Sequence, residues 1–151
     1  MSDDLTRVDD LAAALLQRIA PAGRRKILRK IARDGRKEQS DRIARQIQPD
    51  GQGFAPRKAS SASARKGQLR SRMMFRKLRM ARFLKAGSTD TEAWIGYAGR
   101  AAAIARVHQE GLEDSPTRGA RKVRYVRRVL LGLSDRQEQQ ALDTILAELS
   151  A

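Results

Sequence analysis

The 151-residue chain contains no cysteine. That excludes disulfides, thiolate nucleophiles and cysteine-ligated metals, and it suits a reducing compartment. The chain has one histidine, His108. Without a second histidine it makes no ordinary zinc site. As a general base it has only Glu110 nearby to orient it, so it reads as a structural residue at the end of a short helix. Aromatic rings are scarce: Trp94, Tyr97, Tyr125, Phe54, Phe75 and Phe83 are all there are, so the core must be built mainly from Leu, Ile, Val and Ala. No apolar run approaches the ~18 residues that a membrane span needs. The first ten residues are acidic, unlike the basic start of a secretory signal. The expectation is a soluble protein made in the cytoplasm, with no membrane partner. Neither G-x-x-x-x-G-K-[ST] nor G-x-G-x-x-G occurs, and Gly96, Gly99 and Gly111 read as turn residues. The pair Asp9-Asp10 reads as surface charge. No catalytic residue, metal or cofactor is expected, and the chain does not read as an enzyme.

Positive charge is what the chain has in excess. Lys and Arg number 32 against 17 Asp and Glu, a formal net charge of +15. The excess is concentrated from Arg24 to Lys85, whereas the first ten residues are acidic and the tail from Asp135 is nearly balanced. Such a field attracts nucleic acid or acidic protein faces. Arg24, Arg25 and Arg29 on a basic helix, with Arg65, Lys66, Arg70 and Arg72 further on, are the candidate basic residues facing DNA, another anion or a partner. Phosphate contact and a solvated or partner-complementing face both fit them. Stacking rings are too few in this region to support sequence-specific single-strand binding, and no zinc-finger or RNA-recognition signature appears.

The apolar spacing predicts an α+β fold. Ser2 and Asp3 open a helix to about Ile19, with Leu5, Val8, Ala12, Leu15 and Ile19 on one face. Pro21 suits the first turn of a second helix from about Ala22 to Ile47, in which Gly35 marks a kink or break. Pro49-Asp50-Gly51 signals a turn. Residues 51–71, rich in Gly, Ser, Ala and basic residues, read as a mobile basic loop or an arm that orders on a partner. The stretch Arg72–Lys85 has a partial helical face. Ala93, Ile95 and Tyr97 alternate as in a strand. Arg100–Gln109 reads as a helix ended by Gly111, and Leu112–Arg121 as a loop. Val123, Tyr125, Val129 and Leu131 suggest a second strand. Ser134 and Gln137 form a capping box ahead of a final helix with Leu142, Ile145, Leu146 and Leu149 on one stripe. The organisation expected is one domain over 1–151: N-terminal helices over residues 1–48, the loop 51–71 and an α+β core 72–151. Trp94, Ile95, Tyr97, Ile104 and Val107 fit a core, although an assembly interface also uses such residues.

An ordered set of short motifs points further. Gln48-Pro49-Asp50-Gly51 is followed by Phe54-Ala55-Pro56, then Met74-Phe75-Arg76-Lys77-Leu78-Arg79 and Glu92–Gly99. Next come Ile104-Ala105-Arg106-Val107-His108-Gln109-Glu110-Gly111 and Arg128-Val129-Leu130-Leu131-Gly132-Leu133-Ser134. In order and spacing the chain resembles the phage virion morphogenesis family, the tail completion proteins of contractile-tailed phages. The resemblance implies a small antiparallel sheet with flanking helices and a structural, non-enzymatic role. Such a protein forms a ring, six-fold, at the head-proximal end of the tail. The ring caps tube and sheath and meets the head connector, with DNA passing non-specifically through the lumen. The partners implied are further copies of the chain, tail tube and sheath proteins and neck proteins. The location implied is the virion, with assembly in the host cytoplasm. Trp94, Tyr97, His108, Arg128 and Leu131 are the candidate assembly-interface residues. The alternative from a different class is a small basic nucleic-acid-binding protein, whose affinity would fall steeply with salt.

Overall fold

The computed structural model describes residues 2–57 and 73–151. The chain is α+β: four helices and two small antiparallel sheets among the described residues. Helix α1 spans Ser2–Leu16 and α2 spans Pro21–Ala44. Strands β1 (Leu84–Ser88) and β2 (Ala93–Tyr97) form a hairpin. Helix α3 (Arg100–Glu110) follows, then the short strands β3 (Glu113–Asp114) and β4 (Val123–Arg124), and finally α4 (Asp135–Leu149). The chain divides into two compact units that do not follow chain order. One comprises Met1–Glu38, Lys85–Gly96 and Leu133–Ala151, the other Gln39–Leu84 and Tyr97–Gly132.

The first unit is built on helix packing. Leu16, Ile27, Leu28 and Ile145 are its buried centre, with Ala12, Leu15, Ile19, Ile31, Ala93 and Leu149 packed around them. Alpha-helical spacing brings Ala12, Leu15 and Leu16 to one side of α1, and α1 lies against α4. The expected capping box is present: the Ser134 hydroxyl accepts from Gln137 N, and the Gln137 side chain accepts from Ser134 N. Asp135 and Glu138 in the first turn suit the positive end of the α4 dipole. Of the expected stripe on α4, Ile145 is 1% exposed whereas Leu146 is 46% exposed.

No break occurs at Gly35, because α2 runs through it. A Cβ at that position would lie 2.6 Å from Ile95 Cδ1, so the glycine admits the hairpin side chain against the helix. On the hairpin itself, Trp94 covers Gly87, and an added Cβ there would meet the indole at 2.5 Å.

The second unit has its core in Phe54, Leu78, Ala101, Ala105 and Leu130, with Met74, Phe75, Phe83 and Tyr97 against it. Turns cover Met74–Phe83 before β1 begins, so the partial helical face of Arg72–Lys85 is realised as turns and a strand. Residues 51–57 are mostly exposed but anchored at a few points. An Ile47–Gly53 bridge closes the Pro49-Asp50-Gly51 turn, where Gly51 has φ 86°, and Phe54 is 8% exposed. The remainder of the expected arm, together with Arg65, Lys66, Arg70 and Arg72, lies outside the described residues.

The second predicted strand shrinks to Val123–Arg124, paired with Glu113–Asp114 inside the expected loop. Residues 125–130 have no strand partner. Side chains take that partner's place. Gln109 accepts from Leu130 N at 2.7 Å and Leu131 N at 2.9 Å and donates to Leu131 O at 2.9 Å. Gln48 accepts from Val129 N at 2.9 Å. Gln39 donates to Leu130 O, and Arg42 donates to Gly132 O at 2.9 Å. The backbone bonds of such a segment must be met: Tyr125 N and Arg128 N donate to Leu112 O and His108 O, and from Val129 onward glutamine amides and Arg42 act in place of a neighbouring strand.

Candidate functional site

Most of the motif pieces scattered through the sequence fall in the second unit, whereas Glu92–Gly96 and Leu133-Ser134 belong to the first. Gln48 and Gln109 hold residues 129–131. Pro49 lies so close to Gly132 that an added Cβ would approach its Cγ to 2.8 Å. Gly111, with φ 67° and ψ 46°, adopts the left-handed conformation that ends α3, and Arg127 and Tyr125 pack over it. Arg128 is 5% exposed. Its guanidinium donates to Ala55 O at 2.7 Å and Pro56 O at 2.8 Å, which ties Phe54-Ala55-Pro56 to the extended segment that follows β4.

Four of the five candidate assembly residues fall in this unit. His108 sits in a chain of edge-on rings: Phe54–Phe75 at 5.4 Å, Phe75–His108 at 4.8 Å and His108–Tyr125 at 4.8 Å between centroids. Its Nδ1 is buried without a hydrogen-bond partner. Burial first, and then the Arg128 charge, hold its pKa below the usual 6.5, with Asp114 opposing. Burial likewise lowers the pKa of Arg128, and Arg57 adds to that. Tyr97 points its hydroxyl inward near Gln39 and Arg42. Burial pushes the phenol up to about 12 against their influence, and the hydroxyl does not reach good hydrogen-bond geometry. Leu131 is half-buried and held through its backbone by Gln109. Trp94, in the other unit, is 50% exposed.

The first unit carries the other candidate surface. Arg25 and Arg29 are exposed, and Arg24 is half-buried with an unpartnered Nε. The structure adds a groove of about 570 Å³ between α2 and α4. Lys26, Arg29, Lys30 and Arg33 form its basic wall, at the i, i+3, i+4, i+7 spacing of one helix face. Asp143, Thr144, Ala147 and Glu148 are on the other wall, and Ile27, 3% exposed, lies at its floor. Lys30 pairs with Asp34 one turn away. The regular spacing of these cations is legible in the sequence, but the opposing α4 wall is not.

Among the described residues no cluster of three His, Asp or Glu is placed to hold a metal, and no helix is long and apolar enough to cross a membrane. No solved structure matches the chain. The sequence is 33% identical over 148 residues to tail completion protein S of Escherichia phage P2, covering 97% of this chain and 98% of that protein. The family model described as the phage virion morphogenesis family matches residues 3–150. With both matches running nearly end to end, the chain belongs to the phage virion morphogenesis family.

Proposed function

We propose that the protein is a non-enzymatic structural component of a contractile phage tail, a tail completion subunit that ends tail growth at the head-proximal end. It assembles as a ring, caps tube and sheath, and presents a surface to the neck proteins of the head, with DNA crossing its lumen without sequence preference. The observation that carries this reading is the near full-length similarity to a tail completion protein. The chemistry agrees with it. The ionisable and aromatic side chains of the second unit hold one another and the backbone, and the charged surfaces of α2 and the exposed Trp94 suit contacts between proteins. A ring subunit meets its neighbours through two different patches, and separated acidic and basic regions orient such contacts.

Electron microscopy of an induced lysate lacking only this gene tests the proposal. Separate filled heads, with tails of abnormal length or bare ends, are the expected result. Normal joined particles would overturn it.

A further inference from the structure

The charge of the first unit is sorted by helix. Between Ser2 and Leu16, α1 has four Asp and one Arg, a net −3. Helix α2 has nine Lys and Arg against three Asp and Glu, a net +6. The basic wall of the groove contributes four of those cations, and the facing α4 wall offers only Asp143 and Glu148 against them. Asp34 pairs with Lys30 and Arg33, and the cations still outnumber the carboxylates around the groove, which favours an occupant that brings negative charge.

The groove also has apolar lining. Ile27 and Ala147 lie within it, and the aliphatic stems of Lys and Arg extend that surface. A phosphate backbone needs cations and gains nothing from an apolar floor. An amphipathic helix with a carboxylate edge and an apolar anchor satisfies both features.

The chain itself carries such a helix. On α1, Leu5 is 44% and Leu11 50% exposed. Leu5 and the exposed Asp9 are four residues apart and share a face. Ala12, Leu15 and Leu16 continue the same stripe and are committed to the unit's own core, so the uncovered part of the face is its N-terminal half. We propose that the α2–α4 groove of one subunit receives the Leu5–Asp9 face of α1 from the next copy of the chain. Leu5 fills the apolar floor, and Asp9 faces the Lys26–Arg33 wall. The two patches differ, so the contact is heterologous and repeats from copy to copy until the rotation closes. This inference rests on the ring reading and specifies which surfaces meet.

Analytical ultracentrifugation of the full chain tests it, using two variants with exposed substitutions. One reverses the groove wall (Arg29→Glu with Arg33→Glu), and the other spoils the helix without reversing its charge (Leu5→Ser with Asp9→Asn). The wild type is expected to form oligomers as concentration rises, and each variant alone to stay monomeric with wild-type far-UV dichroism. An equimolar mixture is expected to stop at dimers, because it has one intact groove and one intact helix for a single junction. As a check independent of charge reversal, Leu5→Cys and Lys26→Cys chains, otherwise cysteine-free, should form a mixed disulfide when combined with oxidised glutathione as the oxidant. Variants that oligomerise like the wild type, or a mixture without dimers or mixed disulfide beside an oligomeric wild type, overturn the pairing and leave the ring reading standing. A wild type that stays monomeric at every concentration overturns both.

Discussion

Replacing Gln109 by leucine removes the amide that stands in for a strand neighbour while keeping most of the volume. Three hydrogen bonds disappear, at 2.7, 2.9 and 2.9 Å. One of them serves Leu130, which is 1% exposed, so its N–H is left without water. An orphaned buried donor costs about 1–3 kcal/mol, and each of the other two bonds contributes about 0.5–1.5 kcal/mol. The expected loss is about 2–6 kcal/mol. With a urea m-value of about 2 kcal/mol/M, the midpoint should fall by about 1–3 M, as followed by far-UV dichroism. Gln109→Ala should cost at least as much, and Gln17→Ala, at an exposed position, should cost almost nothing. Native-state hydrogen exchange locates the effect: the Leu130 and Leu131 amides should lose protection more than other amides of the unit. A Gln109→Leu protein as stable as wild type, or one in which those two amides stay protected, would refute the view that glutamine side chains hold this segment.

Three further outcomes follow from the same structure. Gly87→Ala puts a methyl where the indole of Trp94 lies. It should move the emission of the chain's single tryptophan, and an unchanged spectrum would contradict the close approach. His108 has its folded pKa lowered by burial and Arg128, so the unfolded chain binds the proton more readily. Its contribution is complete above pH 6.5 and is lost as pH falls below that value; His108→Phe, which keeps the ring contacts, should flatten that region of the stability–pH curve. Ser134→Ala removes half of the α4 capping box and should cost about 1 kcal/mol in denaturant unfolding.

The features of the fold that were legible in the sequence are those decided locally. The Ser134–Gln137 capping box, Pro21 at the start of α2, the Ala93–Tyr97 alternation and the glycine end of α3 each depend on residues within a turn or two. The strand expected over Val123–Leu131 failed beyond Arg124 because alternation reports an extended, half-buried segment and is silent on what bonds its backbone. Gln48 and Gln109 answer that from distant positions. Gly35 looked like a break because its partner Ile95 is sixty residues away in sequence. The motif pieces made the family recognisable before the place where most of them meet was visible. On α2 the cations were plain in the sequence, but the groove they line exists only once α4 is packed beside them.

The central claim is that this chain ends the tail. Gold labelling of a C-terminal tag on purified particles, viewed by electron microscopy, tests it most directly. A single cluster of label at the head-proximal end of each tail is the predicted result. Label distributed along the tube, at the distal end, or absent from particles that retain the tagged chain in the lysate would contradict it.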